Sequence, residues 1–357
     1  MNIDFNNERW EIVKENYKKW WNHELDRPLI QAVTWGKDPG RPRPNLPDYG
    51  FTAFYDFSVT AEQIVDLWDY HLSCTKYMGD AFPSVWPNFG PGIVAAFMGA
   101  RLEKGNGTCW FLPEKDEDPK TLTFQYDPDN IWLNRIKSIY KACMERWEGM
   151  VQVGMTDLGG NLDIVSTFLP GEKLLYALYD YPDEIKRINW EAHKMWWRYF
   201  DEFNSILQPK NPGYTAWTPI FSEAPYYMLQ YDFSYMIGPE MFDEFVKPEL
   251  AESCKKLVNP FYHLDGPGQL PHLDSLLTIP ELKGIQWVPG AGSPDCIHWP
   301  EVYKKINKAG KLIQIFGDIG TLDTIAQQIG TAEGIILVGW GGNEDQINQA
   351  LKKYGVI

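Results

Sequence analysis

Short β-rich runs alternate with longer amphipathic stretches along this chain, and that alternation restricts the fold more than any other feature. The runs are PLIQAVT (28–34), AFPSVW (81–86), VQVGMTD (151–157), YTAWTPIF (214–221), FYHLD (261–265), GIQWV (284–288), KLIQIF (311–316) and GIILV (334–338). Helical periodicity fills the intervals at 60–78, 129–147, 182–207, 239–258, 268–277, 299–309, 320–329 and 343–354. Parallel strands need a crossover, usually a helix, whereas hairpins need only a tight turn. Eight of each predicts a (β/α)₈ TIM barrel over residues 1–357, a single domain with an N-terminal helical extension. A doubly wound open sheet is the competing architecture.

Boundary residues support the scheme. Asp129 after Pro128 can cap the second helix, and Asn343 followed by Glu344 and Asp345 places acceptors and negative charge at the positive end of the last. The stretch from Pro182 carries Ile185, Ile188, Ala192, Met195, Trp196 and Tyr199 at three- and four-residue spacing, so one face is buried. Residues 37–50 and 109–128 read as excursions, the first lacking both periodicities. The first is expected to be a long loop and the second a small β-ribbon turning at EKDEDPK, both placed as lids or surface loops.

Composition excludes several function classes. The 33 Lys plus Arg face 48 Asp plus Glu, a net charge of −15, and no basic cluster exists for phosphate backbones, so nucleic acid is not an expected partner. The longest uncharged apolar stretch, near residues 92–100, falls far below the ~18 residues of a membrane span. The charged N-terminus lacks the apolar core of a secretory signal, and the five scattered cysteines form no CxxC pair. A reduced, cytoplasmic setting is the expectation. A homodimer is left open.

In a barrel enzyme the C-terminal strand ends and the loops beyond them build the site. They supply Asn88, Asp157 with Asn161, Glu223, His263 with Asp265, Asp318 and Trp340. YHLDG (262–266) is the sharpest cluster: His263 and Asp265 at i and i+2 share one face of a strand, and Gly266 permits an abrupt turn. They suit an acid/base pair or two metal ligands, with a buried structural histidine as the alternative. Cys296 and His298 in GAGSPDCIHW could complete a zinc site with His263 and Asp265, although the spacing is not that of a self-sufficient zinc motif. Glu223 and Asp157 sit beside small or aromatic residues where desolvation raises a carboxyl pKa; a loop-stabilising cap is the plainer role. Of sixteen tryptophans, Trp35, Trp86, Trp217, Trp287 and Trp340 lie at strand ends and could wall a pocket for a sugar face, an aryl ring or a methylated cation.

Three segments then carry a resemblance: DLGGNLDIVSTFLPGEKLLYALYDYPDEIKRI (157–188), YDFSYMIGPEMFDEFVKPEL (231–250) and FYHLDG (261–266). In this order they resemble the uroporphyrinogen decarboxylase and cobalamin-dependent methyltransferase superfamily, whose fold is a (β/α)₈ barrel. The resemblance covers most of the chain from about Asp26. The activity motifs depart from both well-known branches. Arg41 and Arg43 remain without the arginine-rich decarboxylase pattern, Asn88 stands where the decarboxylase aspartate would, and Thr167 stands for its tyrosine. In the thiol-activating methyltransferases a His-x-Cys pair and a late cysteine hold zinc. Here His263 matches the histidine, Asp265 replaces the cysteine, and GWGGN (339–343) offers no late thiol.

A harder carboxylate site suits demethylation of an O- or N-methyl substrate, with a reduced corrinoid (cobalamin) on a partner protein accepting the methyl group. The expectation is therefore a methyltransferase-like enzyme acting on a small molecule, with zinc as the implied metal. The alternatives are a lyase or decarboxylase using His263, Asp265 and Glu223, and a ligand-binding barrel that has lost catalysis.

Overall fold

The computed structural model describes residues 2–105, 107–340 and 342–357, with Trp340 described in its backbone alone. Its strands are β1 (Leu29–Trp35), β2 (Thr75–Gly79), β3 (Ser84–Val85), β4 (Arg101–Gly105), β5 (Thr108–Leu112), β6 (Gln152–Val153), β7 (Tyr226–Gln230), β8 (Asn259–Asp265), β9 (Gly284–Val288), β10 (Leu312–Phe316) and β11 (Ile335–Trp340). Seven of them form one sheet in the order β2-β1-β11-β10-β9-β8-β7. All its pairings are parallel except β1 with β2. β3 and β6 pair in parallel as a separate sheet, and among the described residues no ladder joins the two sheets into a closed ring.

Strand order thus follows the expected alternation, with local differences. The helix expected over 60–78 ends at Ser73, and the β-branched and aromatic TKYMG that follows becomes β2 on the free edge of β1. That helix begins with a capping box, in which Gln63 N–H donates to Thr60 Oγ1 and Thr60 N–H donates to Gln63 Oε1. Residues 214–221 make no strand. Pro219 has no N–H for a ladder, Ile220 N–H reaches back to the Thr218 carbonyl at 2.8 Å, and the segment folds on itself through a Tyr214–Ser222 bridge. The strand of this unit is instead YYMLQ, β7, buried at every position. The ribbon is β4–β5, its strands joined between Gly105 and Thr108 rather than through EKDEDPK. The loop at 37–50 is tied down, with Arg41 paired to Asp66 and Asp69. Asn130, not Asp129, caps the helix Ile131–Trp147, whereas Asn343 caps Glu344–Lys353 as expected.

The N-terminal helix Asn7–Trp21 buries Trp10, Val13, Tyr17, Trp20 and Trp21. Trp20 stacks on Phe261 at 6.1 Å, Trp21 meets Tyr226, and the Trp21 Nε1–H donates to the Phe221 carbonyl at 2.9 Å. These contacts seal the starting ends of β7 and β8, so the opposite ends of the same strands are left to carry polar groups.

Candidate functional site

Four neighbouring parallel strands hold polar residues at one level. The register sets Gln230 of β7 beside His263 of β8, His263 beside Gln286 of β9, and Gln286 beside Gln314 of β10. The last three side chains form a chain of hydrogen bonds: His263 Nδ1 to Gln286 Oε1, Gln286 Nε2–H to Gln314 Oε1 at 2.9 Å, and Gln314 Nε2–H to Thr218 Oγ1. Thr218 belongs to the refolded 214–221 segment, which fills the space enclosed by the sheet; its Pro219 carbonyl accepts from Gln31 Nε2–H on β1. Because Gln286 presents its amide oxygen, His263 carries hydrogen on Nδ1 and keeps a lone pair on Nε2.

Two residues beyond each of Gln230 and His263 come Asp232 and Asp265. Asp232, His263 and Asp265 offer one ligand atom each, all within 4.8 Å of one another. Asp232 is reached by solvent from the mouth but is crowded by protein on most sides. Burial, then the charges of Asp163, Asp265 and Asp157, push its carboxyl well above the usual range. Burial pushes His263 below its ordinary value, outweighing the pull of Asp265, so the imidazole is neutral near pH 7. Trp217 stands edge-on to the imidazole, with centroids 4.8 Å apart and rings at 86°.

Asp157 lies behind this cluster, 6% exposed, and burial raises its carboxyl to about 6 against the hydrogen bonds it accepts. Those come from Gly159 N–H at 2.8 Å and Gln230 Nε2–H at 3.1 Å. Asp163 fixes the turn that carries Asp232, accepting from the backbone N–H groups of Asp232 at 3.0 Å and Phe233 at 2.6 Å. Asn161 opens the same helix as Asp163, buried, with an Oδ1 that finds no protein partner. The donor set of one imidazole and two carboxylates fits a divalent ion such as zinc, and an ion there would relieve the crowding of negative charge. It contains no thiolate.

Several expected residues sit elsewhere. Glu223 is exposed three residues before β7, at the sealed end of the sheet, and cannot reach His263. Cys296 and His298 lie in the short turn Cys296–His298: His298 is exposed and paired with Asp295 at 2.6 Å, Cys296 faces the Phe316 carbonyl, and neither joins the metal-type cluster found among the described residues. Asp318 caps the helix Ile319–Ile329 by accepting from Thr321 N–H at 2.9 Å, which also lowers its pKa. Asn88 organises its own loop, donating to the Gly50 carbonyl and accepting from Gly90 N–H. Trp35 is 61% exposed, and Trp287, next to inward-facing Gln286 on β9, packs against Trp299. Trp86 is half-buried one residue beyond β3 of the smaller β3–β6 sheet. The Trp340 side chain and Gly341 of GWGGN lie outside the described residues.

Asp232 and the glutamines were missed in the sequence. Asp232 was hidden because the fourth strand was read at 214–221; the repeated Ile-Gln of LIQAVTW, GIQWV and LIQIF was a visible signal for the belt.

No family model matches the chain, and no curated protein matches it. Among solved structures, the chain is similar to a methyltransferase from Methanosarcina mazei, with a TM-score of 0.61 and 11% identity over 96% of this chain and 99% of that one. At that identity the likeness is one of fold.

Proposed function

We propose that this chain is a methyltransferase-like enzyme of the uroporphyrinogen decarboxylase and cobalamin-dependent methyltransferase superfamily, built on a (β/α)₈ barrel in which β3 and β6 complete the ring begun by the larger sheet. It removes a methyl group from the oxygen or nitrogen of a small substrate and passes it to a corrinoid protein. The observation that carries the reading is the thiolate-free Asp232–His263–Asp265 cluster at the open strand ends of a fold shared with a methyltransferase.

Asp232, His263 Nε2 and Asp265 would hold zinc, which supplies Lewis acidity toward the substrate's heteroatom. As the carbon–heteroatom bond breaks, its electron pair stays on the heteroatom, and the corrinoid partner supplies the pair that binds the methyl group. Gln286 holds the imidazole so that Nε2 points away from the belt. The Asp157 carboxyl, at about 6, stores a proton behind the cluster for the leaving group. Trp217 limits rotation of the imidazole.

Titration of the metal-free protein with zinc is expected to show one site, weakened at least tenfold by Asp232→Asn and by His263→Ala. The loaded enzyme, offered a corrinoid protein with methoxylated aromatics, methylated sugars and methylamines, is expected to demethylate one class. Equal zinc affinity in all three proteins, or silence across the panel, would overturn the reading. A lyase or decarboxylase is the second reading, favoured by the buried carboxyl of Asp157, which is bonded to Gln230, the register neighbour of the neutral His263; it would release carbon dioxide or an elimination product without corrinoid.

A further inference from the structure

A groove of about 480 Å³ lies beside the cluster, between the β4–β5 ribbon, the end of the helix Asn161–Phe168 and the turn Asp232–Met236. Its walls are Pro91, Trp110, Phe111, Leu175, Phe233 and Met236, with no acidic or basic side chain among the lining residues. Cys109 also lines the groove, and burial pushes its thiol up to about 11, so it adds no charge there. Three hydroxyls reach the groove, at Thr108, Ser166 and Thr167, and the last two already donate to the Asp163 carbonyl, at 2.7 and 3.4 Å. Thr108 offers one neutral hydroxyl and no charge.

Groove and cluster share a wall. The turn that contributes Phe233 and Met236 to the groove contributes Asp232 to the cluster, and Asp163 pins its backbone. Its Tyr235 ring presses on the loop after β8: a Cβ added to Gly268 would come within 2.5 Å of a ring carbon. A molecule lying in the groove is thus held against an element whose position relative to His263 and Asp265 is fixed.

We infer that this groove is the substrate seat and that it takes an uncharged aryl methyl ether, in preference to a methylammonium or a carboxylate-bearing compound. The inference rests on the methyl-transfer reading and adds the substrate class. An arene is matched by proline, phenylalanine and tryptophan side chains, which offer flat carbon surface and ring edges. The volume is that of an ordinary small-molecule site. In so apolar a groove a methylammonium would require an acidic counter-charge and a carboxylate a cation, since a desolvated charge is costly unless paired. The lining supplies aromatic faces without a counter-charge.

The test is equilibrium binding to the full chain, by calorimetry and ligand-observed NMR, with methoxybenzene, 4-methoxybenzoate and tetramethylammonium as probes. Methoxybenzene is expected to bind at least tenfold more tightly than either charged probe. Thr167→Trp, which fills the groove, is expected to abolish that binding, and Phe111→Ala to weaken it about tenfold. Thermal melting and zinc titration of both variants establish that fold and cluster survive. Tetramethylammonium or methoxybenzoate binding best, methoxybenzene affinity unmoved by Thr167→Trp, or no methoxybenzene binding by a protein that still takes up zinc would each overturn the inference. Groove binding that persists in a wild-type protein unable to bind zinc would support the seat while removing the metal from the functional reading, so the two failures are separable.

Discussion

The two ends of the seven-residue strand β8 are chemically unlike. At its start Phe261 is fully buried under the indoles of Trp20 and Trp21. At its finish His263 and Asp265 meet Asp232 at a mouth open to water, with Asp157 and Asp163 behind them. Tight apolar contact holds the first end together. The second gathers carboxylates whose mutual repulsion and burial act against folding. Stability and chemistry are thus kept on opposite ends of the same strands, and a site with unfavourable charges is carried by an end that has none.

That division can be broken most forcefully at the sealed end. Trp20→Ala removes a side chain that is 1% exposed and is expected to cost about 3–5 kcal/mol of unfolding free energy, read from urea midpoints, while zinc affinity of the folded fraction stays as in the parent. A matching loss of affinity would show that the two ends are not independent.

At the open end the sign reverses. Burial raises Asp157 from 3.8 to about 6, so between those values the native state holds a proton that the unfolded chain has released. Stability is therefore greatest below pH 4 for this group and declines as pH rises toward 6, by up to ~3 kcal/mol. Asp157→Asn keeps an acceptor for Gly159 and Gln230 without the charge. It is expected to gain about 2–3 kcal/mol over the parent above pH 6 and nothing near pH 4, and parallel pH profiles for the two proteins would refute this assignment.

The belt lies between the two extremes. Gln286→Ala is expected to lower zinc affinity 10–100-fold through loss of imidazole orientation, and Gln286→Glu, which retains an acceptor for Nδ1–H, to recover most of it. Calorimetry showing both variants equal would reduce Gln286 to packing. The smallest effect belongs to Asp318→Ala, about 1 kcal/mol of stability for a lost helix cap, with zinc and ligand affinities unaltered. A shift in either affinity would return Asp318 to the site.

Legibility in the sequence followed the range of the interaction. His263 and Asp265 could be paired from the chain alone because a strand's two-residue period is local. Asn343 could be read as a cap for the same reason. Asp232 could not, since its place beside Asp265 depends on β7 and β8 being adjacent in register, and a well-patterned competitor at 214–221 drew the strand assignment away. Glu223 was misplaced by the same shift, which moved it from a strand's end to just before a strand's start. The late Cys296 and His298 looked suitable by residue type, but a short exposed turn holds them away from the cluster.

By itself, the sequence determined the rhythm of strands and helices, the acidic balance and the imidazole–carboxylate pair at one strand end. These are set by periodicity and side-chain chemistry over a few residues. Tertiary structure alone decided that Asp232 is the third member, that His263, Gln286 and Gln314 on three adjacent strands become one hydrogen-bonded belt, and that residues 214–221 fill the interior instead of joining the sheet. Each of those outcomes depends on which distant backbone lies alongside, and only the packed sheet specifies that.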